Sequence, residues 1–134
     1  MTTKNLQQQV PQGWPGSLPE YLVYESLTEK FGKKDGLDFS YQSSLLGGRL
    51  NKGGVVLDFS FSNPPDLAIN VQGEYYHYGM GLIPMQNDEF VRVQMAGEGI
   101  TLIFIDENDI LNNVDYFVRE ALNYKDHSKL GGGI

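Results

Sequence analysis

An aspartate breaks the apolar run VVLDFSF at Asp58, and the next apolar segment, LAINVQG, carries the amides Asn70 and Gln72. A carboxylate inside such a run is costly unless it is paired, hydrogen-bonded or metal-bound. Side chains alternate across a strand, so Val55, Leu57, Phe59 and Phe61 fall on one face and Val56, Asp58 and Ser60 on the other. By the same parity Asn70 and Gln72 lie opposite Leu67, Ile69 and Val71, and pairing of the two strands lets Asp58 share their face. His77 follows among Tyr75, Tyr76 and Tyr78. Hydrolysis of a phosphodiester needs a metal ion, an activated water and stabilisation of developing negative charge. A hard ion such as magnesium takes oxygen ligands and keeps several waters. An acid on one strand with oxygen donors on its neighbour is a pattern that meets this need.

The elements that position these residues follow from periodicity and punctuation. Ser17 and Glu20 have capping-box spacing, Pro19 sits in the first turn, and Val23, Tyr24, Leu27 and Phe31 continue at helical spacing until Gly32. Glu20 extends that stripe by one turn, so its carboxylate points along the buried face. LDFSYQSS alternates as a strand, LLGGRLNKGG is a glycine-rich turn, and the Asp58 and Asn70 segments are two further strands joined by the turn SNPPD. A helix is expected from about Asn87 to Ala96, closed by Gly97 and Gly99. ITLIFI reads as a strand buried on both faces, DENDIL as a short helical turn, and Val114, Phe117, Val118, Ala121 and Leu122 as one face of a last helix. The order helix, three strands, helix, strand, helix predicts an α/β domain with a mixed sheet flanked by helices.

Composition narrows the class. A chain of 134 residues supports one domain with one core, and the absence of cysteine excludes disulfides, thiolate zinc sites and a cysteine nucleophile. Residues 1–16 are expected to form a flexible or surface-hugging arm, anchored by Trp14, with the domain over 17–124 and a flexible tail over 125–134 that lacks a packing signal beyond Leu130. MTTKNLQQQVPQGWPGS has no hydrophobic signal core and no run approaches membrane length, so a cytoplasmic protein without membrane contact is expected. The net charge of −7 opposes non-specific attraction to nucleic acid. The segment from Lys30 to Gly54 is the exception, holding five of the ten basic residues but only two of the seventeen acidic ones. The paired glycines Gly47-Gly48 and Gly53-Gly54 lack Walker spacing and instead allow a tight hairpin with Arg49 and Lys52 at its tip.

GGVVLDFSFSNPPDLAINVQGEYYH resembles the core hairpin of the PD-(D/E)XK nuclease superfamily, in particular its small members similar to very-short-patch mismatch-repair endonucleases. The likeness runs over roughly residues 17–122: Glu20 on a first helix, Gln42 ending a strand, Asp58 in V-x-DF, the AINVQGEYYH strand, a helix with Asp88 and Arg92, then GITLIFI. It implies a restriction-endonuclease-like mixed central sheet flanked by helices, and a DNA endonuclease that uses Mg2+ or Mn2+. The signature is altered, because Asn70 stands at the second acid and Gln72 at the lysine. Relatives with a neutral residue there recruit a downstream histidine, and His77 occupies that place. The resemblance therefore implies Asp58 and the Val71 carbonyl as metal ligands, with Glu20 as an outer carboxylate and His77 as acid or base. Asn70 and Gln72 would line the site, and Gln42, Arg49, Lys52 and Arg92 would meet DNA.

Each residue also has a structural reading. Asp58 can pair with Arg49 or Arg92, Glu20 can complete the cap with Ser17, and Arg92 can pair with Asp88. Asn70 and Gln72 can form a hydrogen-bonded polar patch, and His77 can simply pack. The rival expectation is an inactive nuclease-fold module with a structural or binding role in a phage particle, where localisation would be the virion, or in a DNA-processing assembly. Such a module could also form a homodimer or larger assembly. An unrelated α/β binding domain is a third possibility.

Overall fold

The computed structural model describes residues 10–42, 57–73 and 82–129, with the backbone alone for 82–89. The hairpin carrying Arg49 and Lys52, and the tyrosine-rich stretch with His77, lie outside the described residues. The elements run α1 (Leu18–Glu25), a π-helical turn (Ser26–Lys30), β1 (Phe39–Tyr41), β2 (Phe59–Phe61), β3 (Leu67–Gln72), α2 (Leu82–Gly97), β4 (Thr101–Asp106) and α3 (Glu107–Leu122). The element order is the one that the periodicity predicts.

The sheet order is β1-β2-β3-β4. β1 pairs with β2 and β2 with β3 in antiparallel fashion, through Tyr41↔Phe59 and Phe59↔Ile69. β3 and β4 are parallel, with Asn70↔Phe104 and Gln72↔Asp106, and α2 is the crossover. Alternation sorts the side chains. Phe39, Phe59, Phe61, Leu67, Ile69, Ile103 and Ile105 join Val23, Leu27, Ile110, Val118 and Ala121 in one cluster under α1 and α3. Ala68, Leu102 and Phe104 join Met95 of α2 in a second cluster on the opposite face. Removing each large apolar side chain from water contributes about 1.5–3 kcal/mol, which is why Phe59 and Phe104, among the largest fully buried side chains, pin the two faces.

Local signals act as expected at α1. The Ser17 hydroxyl accepts the Glu20 N–H at 3.3 Å, and Gly32, at φ 66°, ends the π-helical turn in a left-handed conformation suited to glycine. α2 begins at Leu82, earlier than the cap signals at Asn87 and Asp88 suggest. In α3, Asn113 leaves helical geometry (φ −160°, ψ 73°), so the expected short turn and the last helix are joined through a break. Among the described residues, no helix is long and apolar enough to cross a membrane.

Two expectations need correction. Leu57 packs with Ala68, Met95, Leu102 and Phe104, not on the Phe59 face, because the strand begins only at Phe59 and alternation does not reach residue 57. Residues 125–129 are not a loose tail. Ser128 is buried, and the Asp126 carboxylate accepts the Phe104 N–H at 2.9 Å. Among the described residues β4 is an edge strand, whose outward amides need partners, and this segment supplies an acceptor that no hydrophobic pattern announces.

Candidate functional site

β1, β3 and β4 finish, and β2 starts, at the same end of the sheet. That end collects Tyr41 and Gln42, Asp58, Asn70 to Gln72, and Asp106. Asp58, Gln72 and Asp106 are buried there, while Asn70 and Val71 are partly exposed.

Asp58 stands one residue before β2, opposite Asn70. Its main-chain N–H donates to Asn70 Oδ1 at 2.8 Å, and its Oδ2 accepts the Val71 N–H at 2.9 Å. Its main-chain carbonyl accepts the Gln42 N–H at 2.9 Å, which brings the end of β1 to the same point. β2 turns away before it can offer Val71 a main-chain acceptor, and the Asp58 carboxylate takes that role. In an antiparallel ladder the N–H and C=O of one residue point to the same neighbour. The Val71 carbonyl therefore faces the side on which the Asp58 carboxylate lies.

Glu20, the first-helix acid, is 4% exposed, and its Oε1 accepts a short hydrogen bond from the Tyr41 hydroxyl. Its N–H serves the Ser17 cap, while its Oε1 is directed to Tyr41. Trp14 stacks on Tyr41, with centroids 4.7 Å apart and planes 18° apart, and meets Tyr21 and Tyr24 at its edges. Trp14 Nε1–H donates to the Ser17 carbonyl at 3.2 Å. The arm is therefore anchored to the body of the domain from Trp14 onward. Gly16 passes so close that a Cβ there would fall on the Tyr41 hydroxyl and 2.6 Å from Glu20 Oε1.

Across the sheet, Arg92 lies 3.9 Å from Asp126, so its guanidinium is turned toward the C-terminal segment. Asp106 Oδ2 accepts the Lys129 N–H at 2.9 Å. Tyr41, Trp14, Asp106 and Asp126 are the neighbours that sequence reasoning missed as parts of this end. Tyr41 carried a usable signal, because it immediately precedes Gln42 in the strand. A separate cleft of about 330 Å³ between α1, the π-helical turn and α3 is lined by Glu25, Glu29 and Asp115 with Lys30, and shares no residue with the sheet end. Its acidic lining does not suit a phosphate.

A carboxylate has about four lone-pair sites, so acceptance of the Val71 N–H and coordination of a cation are chemically compatible at Asp58. Together with the Val71 carbonyl it presents oxygen donors of the type that Mg2+ or Mn2+ takes. Asn70 fits less well as a ligand, because its Oδ1 is turned to the Asp58 N–H. No group of three or more His, Asp or Glu residues capable of holding a metal forms among the described residues. A cation here would rest on one carboxylate, main-chain oxygen and water. Comparisons with known protein families, curated proteins and solved structures find no match.

Proposed function

We propose that this chain is a PD-(D/E)XK-type domain that hydrolyses phosphodiester bonds in DNA with Mg2+ or Mn2+. The observation that carries the reading is the Val71 N–H to Asp58 Oδ2 bond, which joins the acid to the residue whose carbonyl the resemblance implies as its co-ligand. The mixed sheet flanked by helices and its element order support the same reading. Asp58 and the Val71 carbonyl would hold the cation, which supplies charge neutralisation and a more acidic bound water. Glu20 would act as an outer carboxylate and His77 would move the proton. Arg49 and Lys52, with Gln42 and Arg92, would meet the DNA. The test is cleavage of plasmid and branched DNA with Mg2+ or Mn2+, wild type against Asp58→Asn. The expected result is cleavage that the substitution abolishes; equal cleavage by both proteins rules out the site.

A second reading is a non-catalytic module of a phage particle or DNA-processing assembly. It is favoured by the reciprocal Asp58–Asn70–Val71 bonding, which gives both side chains a structural task that needs no cation, and by the neutral Gln72 at the lysine position. Absence of both cleavage and cation binding in the wild type would select it.

A further inference from the structure

We propose that Tyr41 is a positioning residue: its hydroxyl holds the Glu20 carboxylate at the sheet end, so that the helix acid and Asp58 act on one cation. This inference rests on the cation reading of Asp58. Three contacts carry it. Glu20 accepts from the Tyr41 hydroxyl while almost wholly buried. Tyr41 is the register partner of Phe59, the residue after Asp58. The next residue of the same strand, Gln42, donates its N–H to the Asp58 carbonyl. A path of strand pairing and hydrogen bonds therefore links the Glu20 carboxylate to the main chain of Asp58.

The surroundings fix this arrangement. Trp14 covers the Tyr41 ring, and Gly16 lies against both the hydroxyl and the carboxylate with no space for a side chain. Burial makes a carboxylate's charge costly, and the phenol is a donor that lowers this cost without neutralising the charge. A cation at Asp58 would then meet a second, pre-oriented negative charge where Asn70 supplies none. This assigns to α1 and β1 the electrostatic work of the missing second acid.

The test measures Mn2+ affinity from the signal of unbound Mn2+ in electron paramagnetic resonance. It compares wild type, Asp58→Asn, Glu20→Gln, Tyr41→Phe and the Glu20→Gln/Tyr41→Phe double variant, with thermal unfolding of each. Tyr41→Phe keeps the ring on which Trp14 stacks. Tyr21→Phe is the control, because the Tyr21 hydroxyl donates to Glu25 at 3.3 Å, not to Glu20. The expected result is binding abolished by Asp58→Asn and weakened roughly three- to tenfold by Tyr41→Phe, an electrostatic loss of about 0.6–1.4 kcal/mol. Tyr21→Phe should have no effect, and Tyr41→Phe should add nothing once Glu20 is Gln. Unchanged affinity in Tyr41→Phe overturns the positioning role while leaving the Asp58 site intact. Equal weakening with and without Glu20 also overturns it, because the loss would not pass through the carboxylate. No Mn2+ binding by wild type removes the cation reading and this role together. If the Gln variants do not fold, Tyr41→Phe against Tyr21→Phe still decides.

Discussion

Asp58 and Asn70 hold each other's strands in place: the Asp58 N–H donates to Asn70 Oδ1, and the Asp58 carboxylate accepts the N–H of Val71, the residue that follows. Asn70 is thus part of the sheet's hydrogen bonding. Asn70→Ala should leave the Asp58 N–H without this acceptor and cost about 1–3 kcal/mol in urea unfolding. Asn70→Asp keeps an acceptor and adds a negative charge near Asp58. It should lower Tm without divalent ions and enlarge the Tm rise on adding Mn2+. Equal Mn2+ responses in wild type and Asn70→Asp would argue against a cation between these strands.

Gly16 tests the packing over Glu20. A Cβ at this position meets the Tyr41 hydroxyl and Glu20 Oε1. Gly16→Ala should therefore displace the Trp14 segment and destabilise by about 1–3 kcal/mol. Trp14 is the only tryptophan, so its emission reports directly, and a shift to longer wavelength is expected. Gly13, at φ 88° but with nothing near its missing Cβ, provides the contrast. Gly13→Ala should show backbone strain without loss of Trp14 stacking.

The C-terminal segment should behave as part of the domain. Asp126 accepts from Phe104 N–H, and its other oxygen accepts the Ser128 N–H at 2.8 Å. Asp126→Ala removes both acceptors and should cost about 1–3 kcal/mol, with faster hydrogen exchange at the Phe104 amide. Unchanged exchange there would show that the edge of β4 is protected by other means.

The pH dependence has a defined sign at Glu120. Its carboxyl is held below its ordinary value of 4.5, first by the hydrogen bond to His127 and further by the charges of Lys125, His127 and Arg119, against the opposing effect of burial. A depressed carboxylate contributes stability that is present above its ordinary value and is lost as pH falls through the lowered one. In His127→Ala the Glu120 titration, followed by side-chain carbon NMR, should move up toward the ordinary value. Asp38 should also titrate low, chiefly because it accepts the Lys34 N–H.

The elements were legible because periodicity reports burial. Val23 marks the inner face of α1 and Leu27 that of the π-helical turn after it, Phe59 with Phe61 and Leu67 with Ile69 mark paired strands, and the apolar run Leu102–Ile105 marks β4 with both faces covered. Asp58 was legible as an anomaly in an apolar run, and the pairing of its segment with that of Asn70 was legible from the two alternating runs. Parity failed one residue earlier at Leu57, because alternation holds only within the strand and the chain leaves the ladder at Asp58. The Tyr41–Glu20 bond links positions twenty-one residues apart, and Asp126–Phe104 links positions twenty-two apart. Such polar contacts leave no period in a sequence, because the partner is chosen by the assembled sheet. Arg92 shows the same limit: its approach to Asp126, thirty-four residues on, has no signal in the local spacing.

The most direct measurement is a crystal structure of the wild type soaked in Mn2+, with anomalous difference density computed at the end of the sheet. A peak is expected about 2.0–2.3 Å from an Asp58 carboxylate oxygen and from the Val71 carbonyl, completed by waters. Well-ordered Asp58 and Val71 with no peak between them at saturating Mn2+ would contradict the cation site.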